Sequence, residues 1–180
     1  MRVALIDGSN IFEAAKAINL RIDYKALRSF LNEDEQLLRA YYFTALRDKS
    51  IESPLRKTVD WLSHNGYICV TKKTQEYNVT RTWIDADGIE QTKSVPRIKG
   101  NVDVEIATYA FTLAKQVKEI WLFSGDGDFT CMVKALQEQY SLKVYVVSSI
   151  GLVSTELRQQ ADKFIELKDI EDIGTIYQRA

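Results

Sequence analysis

Short apolar runs alternate with segments of helical periodicity along almost the whole chain. Strands are predicted at residues 3–6, 37–46, 67–71, 120–123, 144–147 and 164–165, and helices at 11–18, 54–64, 102–117, 129–140 and 154–161. Strands that are apolar throughout must be covered on both faces, and helices between parallel strands supply this cover. The order of elements therefore predicts an α/β fold with a mainly parallel sheet, helices on both of its faces, and a single domain over residues 1–180.

One stretch interrupts this alternation. Residues 77–95 are rich in Thr, Val, Ile and Trp with polar neighbours, and they surround the sequence Asp85-Ala86-Asp87-Gly88. An Asp-Gly pair between two β-prone runs is typical of a hairpin turn. We therefore predict a β-hairpin insertion near residues 77–95.

Charge is nearly balanced over the chain, with 24 Lys and Arg against 25 Asp and Glu and a formal net charge of −1. No general basic field attracts nucleic acid, so a nucleic-acid partner would have to be bound by a local patch or through a metal ion. No apolar run approaches the roughly 18 residues of a membrane span. We expect a cytoplasmic protein without a membrane partner.

Cysteine and histidine usage narrows the chemistry further. Cys69 and Cys131 each lie in an apolar segment, and their number and spacing exclude a disulfide framework and an ordinary zinc site. We predict that both are small buried thiols. His64, the only histidine, lies at the end of a predicted helix, where a basic residue is favourable. Neither Ser-His nor Cys-His catalysis is indicated.

Three polar segments lie where predicted strands end or helices begin, at residues 7–10, 99–103 and 124–129. Each alone also fits a helix cap or a tight turn. Ligands of open parallel sheets bind beyond the carboxyl ends of the strands, where the strand order reverses. If the first strand and strand 120–123 are neighbours, their backbones lie about 4.8 Å apart. Asp7 and Asp126 would then face one crevice.

The long helix beginning near Asp103 adds a third carboxylate. At about 100° per residue, Asp103 falls within the apolar arc of this helix, whereas Glu105 falls outside it and is predicted to be solvated. A carboxylate that points towards the protein needs a partner, and no basic residue shares its arc. A cation would serve, and oxygen ligands without His or Cys favour Mg²⁺ or Mn²⁺. Such ions support phosphodiester cleavage.

These acidic segments resemble the LabA-like branch of the NYN domain family, within the PIN-like nuclease superfamily. The chain's end is similar as well, at Ser154, Leu157, Ala161-Asp162 and Phe164-Ile165. The resemblance implies a Rossmann-like sheet and a metal-dependent ribonuclease that hydrolyses RNA. It implies metal ligands at Asp7, Asp103, Asp126 and Asp128. These four residues and Asn10, which would orient the substrate or a water, form the implied catalytic set.

Tyr109 departs from the family pattern, which often carries a second Asp at this place, six residues after Asp103. Six residues correspond to about 9 Å along a helix and about 120° around it, so the two positions could not easily hold one ion. We therefore predict one tightly held ion and weak, Mn²⁺-preferring cleavage of single-stranded RNA. The ring of Tyr109 is predicted to contact a base at the mouth of the site.

Basic residues gather between positions 72 and 99, with aromatic residues among them, which suits single-stranded RNA. An ordinary solvated hairpin is the alternative, and a hairpin contact that makes the protein a homodimer is another. The predicted substrate-binding residues are Ser9, Arg81, Lys93, Lys99, Tyr109 and Ser124. Two function classes remain: a metal-dependent ribonuclease, or a catalytically weak module that recruits RNA or protein partners.

Overall fold

A computed structural model describes residues 1–46, 53–84 and 88–177. The strands are β1 (Arg2–Asp7), β2 (Leu20–Ile22), β3 (Leu37–Leu46), β4 (Tyr67–Lys73), β5 (Gln75–Ile84), β6 (Glu90–Lys99), β7 (Glu119–Phe123), β8 (Lys143–Ser148), β9 (Lys163–Glu166) and β10 (Gly174–Ile176). The helices are α1 (Gly8–Ala17), α2 (Tyr24–Phe30), α3 (Pro54–His64), α4 (Asp103–Leu113), α5 (Thr130–Tyr140) and α6 (Thr155–Gln160).

Six strands form one parallel sheet in the order β4-β3-β1-β7-β8-β9. The chain first builds outward from β1 through β3 to β4, and then returns to the other side of β1 with β7. The strand order therefore reverses between β1 and β7, which are direct neighbours, so the condition set in the sequence analysis for Asp7 and Asp126 to face one crevice is met. This is the place where an open α/β sheet presents its crevice.

The sheet separates two apolar layers, because successive side chains of a strand point to opposite faces. Val3 and Leu5 of β1 belong to the layer under α4 and α5. Ala4 and Ile6 belong to the opposite layer, which α1, α2 and α3 cover. All four side chains are fully buried. The predicted α/β fold, with helices on both faces of a parallel sheet, is confirmed.

Several local expectations need correction. The predicted helix 102–117 ends at Leu113, and the amide of Gln116 instead donates to the Leu113 carbonyl in a turn. The segment containing β2 and α2 was not predicted, although Asp23 marks the start of α2 by accepting from two backbone amides. Cys131 is exposed and Cys69 half-buried, so the prediction of two buried thiols was wrong.

The predicted hairpin is present as an antiparallel two-stranded ribbon of β5 and β6. We call residues 75–99 the hairpin arm. Its strands are longer than predicted, and Gly88 in the connection has a φ of +78°, which a residue with a side chain rarely adopts. Residues 85–87 of the predicted turn lie outside the described part of the chain. No described helix is long and apolar enough to cross a membrane.

Candidate metal centre

Asp7 ends β1 and caps α1. Its Oδ1 accepts from the backbone amides of Ser9 and Asn10, each at 3.1 Å, and from the hydroxyl of Ser9 at 2.8 Å. Asp7 is only 4 % exposed. These bonds commit one of its carboxylate oxygens to the turn between β1 and α1, and Ser9 supports the same turn.

Asn10 links the two central strands at their carboxyl ends. Its Oδ1 accepts from the backbone amide of Gly125, just beyond β7, at 2.8 Å. A Cβ atom on Gly125 would overlap the carbonyl oxygen of Leu152, so only glycine fits at this position. The loop after β7 is therefore held against both the β1 end and the loop after β8.

The loop after β7 carries two of the predicted acids. The hydroxyl of Ser124, which is fully buried, accepts from the Asp126 amide at 3.2 Å. Asp126 Oδ1 accepts in turn from the Asp128 amide at 3.0 Å. Asp126 is half-buried and Asp128 is exposed. Ser124 thus supports the turn that carries Asp126; its contact with a substrate remains a prediction.

Asp103 stands at the start of α4 and is held by Asn101. The Asp103 amide donates to Asn101 Oδ1 at 2.8 Å, and Asn101 Nδ2 donates to Asp103 Oδ2 at 2.6 Å. The role of Asn101 was missed in the sequence. An Asn two residues before an acidic helix start was the available signal, because Asn side chains commonly bond to the backbone two residues on.

Three of the four predicted ligands form a tight group. Carboxylate oxygens of Asp103, Asp126 and Asp128 all lie within 4.8 Å of one another. Asp7 is not part of this group, although it lies at the same edge of the sheet and its charge acts on Asp103. Burial raises the pKa of the Asp103 carboxyl, the Asn101 hydrogen bond opposes this, and the charges of the other three acids raise it further.

The donor set fits a hard divalent cation. No ion pair joins the three carboxylates to any of the described side chains. The side chain of Lys99 lies outside the described part. Ligand oxygens on opposite sides of an Mg²⁺ ion are about 4 Å apart, so oxygens that lie within 4.8 Å of one another can share one ion with little movement. A cation would replace the mutual repulsion of the three acids with attraction.

Glu105 differs from its prediction as a solvated charge. Its Oε1 lies 2.8 Å from Nζ of Lys72, and its other carboxylate oxygen is buried without a hydrogen-bond partner among the described residues. The pair joins the end of β4 to α4. The sequence predicted that Glu105 lies outside the apolar side of the helix. It could not predict that the fold brings Lys72 next to it.

Tyr109 packs inward from α4. Its ring centroid lies 5.0 Å from that of Tyr41 and 5.4 Å from that of Phe43, both with edge-to-face geometry. Tyr109 is half-buried beside the apolar layer under α4. The described ring contacts of Tyr109 are thus with the protein's own aromatic residues, and a contact with RNA stays a prediction.

Two buried hydroxyls beside the site were also missed. Ser148 and Ser149 follow the apolar core of β8, and their Oγ atoms have no hydrogen-bond partner among the described residues. Ser148 Oγ is 2.8 Å from the place where Gly125 would carry a Cβ. Two serines directly after the apolar run 144–147 were the available signal.

Asp103→Asn is expected to raise the melting temperature of the metal-free protein at pH 7, by about 2–4 °C. Because the folded pKa of Asp103 is raised, its stabilising contribution is present below the unfolded pKa and lost as the pH rises through the folded pKa. The gain should therefore disappear below about pH 4. Thermal denaturation in a chelator across this range tests it. A lower melting temperature at pH 7 would contradict the repulsion inferred here.

The sequence and the fold were compared with those of known proteins. A family model described as NYN domain matches residues 2–168. The chain belongs to the NYN domain family. The predicted resemblance is thereby confirmed. NYN domains are a PIN-like ribonuclease family that generally binds RNA and uses divalent metals, so the chain is a nuclease-type module.

The chain is also similar to two individual proteins. "Low amplitude and bright protein LabA" of Synechococcus elongatus is 33 % identical over 167 residues, covering 92 % of this chain and 82 % of that protein. A crystal structure of a protein of unknown function from Vibrio parahaemolyticus has a TM-score of 0.70 at 24 % identity and covers 93 % of each chain. The second likeness supports the fold alone.

Proposed function

We propose that the protein is a metal-dependent ribonuclease that hydrolyses phosphodiester bonds of single-stranded RNA. The observation that carries this proposal is the group of three carboxylates at the point where the strand order reverses. Asp103 begins α4, whereas Asp126 and Asp128 follow β7, so the grouping is a product of the fold and not of sequence proximity alone.

The chain's residues divide into two roles. Asp103, Asp126 and Asp128 would hold Mg²⁺ or Mn²⁺, and Asp7 adds negative charge from the neighbouring strand. Asn10 fixes the loop that carries Asp126 by accepting from the Gly125 amide. A divalent cation bound here would lower the pKa of the attacking water and neutralise charge on the phosphate. In this hydrolysis the water oxygen bonds to phosphorus, the P–O bond to the leaving oxygen breaks, and the proton lost by the water ends on that leaving oxygen.

A catalytically weak binding module is the second candidate. Tyr109 favours it, because an aromatic ring packed on Tyr41 and Phe43 occupies the place of the family's second acid. Such a module would keep the carboxylate group and the RNA surface but turn over slowly. The two candidates differ in the products that appear when RNA and ion are both present.

Incubation of end-labelled single-stranded RNA with the protein tests the choice. We expect cleavage with Mn²⁺, slower cleavage with Mg²⁺ and none with a chelator, because the carboxylates repel phosphate unless a cation intervenes. A double-stranded RNA of the same sequence serves as the matched substrate. RNA that stays intact with either ion, while binding is retained, would favour the weak module.

A further inference from the structure

The hairpin arm is exposed on both sides. Its strands pair with each other and with no other described strand. Two-stranded ribbons are marginal on their own, and none of the described arm residues belongs to either apolar layer of the sheet. Of its described side chains between positions 78 and 95, only Val79 and Val95 are half-buried and the rest are exposed. Because these side chains bury little surface, their contribution to the stability of the fold does not explain which residues the arm carries.

The two faces of the arm differ in chemistry. Residues directly opposite each other in an antiparallel ribbon share a face, and the face alternates along each strand. Val79–Val95, Arg81–Lys93 and Trp83–Gln91 are pairs on one face, which we call the basic face. Thr80–Ser94, Thr82–Thr92 and Ile84–Glu90 are pairs on the other. The basic face carries cations and an indole, while the opposite face carries hydroxyls and a carboxylate.

Arg81 and Lys93 are a like-charged pair at directly opposed positions. Such a pair destabilises a ribbon, because Cβ atoms there are only about 5 Å apart. Neither side chain forms an ion pair with another described side chain, and both are exposed. A polyanion on this face would turn the repulsion into two attractions.

Trp83 extends the basic face by one step. It lies two residues beyond Arg81, about 7 Å along the strand, and is 47 % exposed. A flat apolar ring beside two cations suits a base stacked on the indole and phosphates at the guanidinium and ammonium groups. In a duplex the faces of the bases are covered by their neighbours, so this combination favours a single strand.

The root of the arm is fixed at the edge of the sheet that carries the acids. The Thr74 amide donates to the Leu46 carbonyl at 3.0 Å, at the carboxyl end of β3. A Cβ on Gly100 would lie 2.6 Å from the Cβ of Ala45 in the same strand. Arg81 stands six residues beyond the start of β5, about 20 Å from the root. The basic face therefore lies well out along a ribbon whose root is attached at the carboxyl edge of the sheet, where the acids also lie.

We propose that the basic face of the hairpin arm, formed around Arg81, Trp83 and Lys93, binds single-stranded RNA at a distance from the carboxylate group. The choice of RNA over other polyanions rests on the proposed function. The arm contributes affinity for long strands and does not touch the phosphate that reacts. Long substrates therefore use both surfaces, and short ones use only the carboxylate group.

The test is fluorescence anisotropy of a labelled RNA of about 16 nucleotides, in a chelator so that cleavage does not occur. Arg81→Gln with Lys93→Gln should weaken binding about tenfold and reduce the slope of log affinity against log salt by about 1.4, since each contact to a single strand contributes about 0.7. Thr82→Glu with Thr92→Glu is the matched control. It makes the same change in net charge, but on the opposite face of the ribbon. We expect this variant to bind RNA nearly as the parent does.

Stacking has its own matched pair. Trp83→Ala should weaken binding of the single strand about tenfold and leave duplex RNA unchanged. Ile84→Ala removes a neighbouring apolar side chain that is 72 % exposed on the other face, and should have no effect. Equal losses in the Trp83 and Ile84 variants, or in the two charge variants, would overturn the basic face as the binding surface.

The outcomes separate this inference from the proposed function. If RNA binding depends on the arm but the parent does not cleave RNA, the arm is an RNA-binding surface and the proposed ribonuclease function is wrong. If all the arm variants bind RNA and cleave long strands as the parent does, the arm is not an RNA-binding surface, and the proposed ribonuclease function stands. Light scattering on the same variants covers the homodimer: a changed mass with unchanged RNA affinity would overturn the proposal in favour of a contact between copies.

Discussion

Asp126→Asn is expected to reduce metal-dependent cleavage of single-stranded RNA by about 100-fold or more. Asp126 supplies one of the three grouped carboxylates, and its loss removes both a ligand oxygen and a negative charge from the ion. The asparagine Oδ1 can still accept from the Asp128 amide, so the turn after β7 should survive. Initial rates with Mn²⁺ for the parent and the variant give the comparison.

Asp34→Asn is the control for this experiment. Asp34 is exposed in the turn before β3, at the opposite edge of the sheet, and its substitution removes the same charge without approaching the acids. Thermal denaturation adds a readout that does not depend on turnover, because an ion that binds only the folded state raises the melting temperature. An Asp126→Asn protein that gains as much from Mn²⁺ as the parent would show that the ion lies elsewhere.

Tyr109→Asp is expected to destabilise the fold by about 2–4 kcal/mol, although it restores the acid that the family often has there. The substitution removes two edge-to-face contacts, with Tyr41 and Phe43, and puts a charge beside the apolar layer under α4. In a domain of this size the melting temperature should fall by roughly 5–15 °C. Tyr109→Phe keeps the ring and should stay close to the parent.

Calorimetric titration with Mn²⁺ decides between packing and a lost ligand at this position. Position 109 is about 9 Å along α4 from Asp103, too far to join the same ion. We expect the Tyr109→Asp protein to bind one ion, as the parent does, after its stability is allowed for. A second tight ion in the variant, with an unchanged melting temperature, would mean that Tyr109 replaced a ligand and not that it completes the core.

Helix caps and apolar runs in the sequence were enough to predict the bounds of two elements. The bounds of α3 and β3 agree with the prediction because Ser53 and Pro54 mark the start of α3 and because β3 is rich in apolar and aromatic residues over Leu37–Leu46. The length of α4 was overestimated, since buried Ala114 and Val117 continue the apolar pattern in a turn that is not helical. Buried apolar residues thus continue at helical spacing after the last helical residue, and the sequence pattern cannot show where the helix ends.

The edge of the sheet that carries the site could be predicted, but not which acids group there. Parallel strands bring Asp7 and Asp126 to one edge whatever their side chains do. Asp7 stays outside the tight group while three donors engage its Oδ1, and Asp128 joins it through the turn that Asp126 caps. Such choices depend on hydrogen bonds within each loop, which the spacing of residues does not specify.

The position of β1 between β3 and β7 has a consequence for synthesis. Domains generally begin to form from their N-terminal part while the rest is still being made. β1 can pair with β3 early, but its other side has no partner until residues 119–123 have left the ribosome. The acids that group together extend to Asp128, so no complete centre exists before then. Under the proposed function, a nascent chain of this topology is harmless to the messenger and ribosomal RNA that surround it.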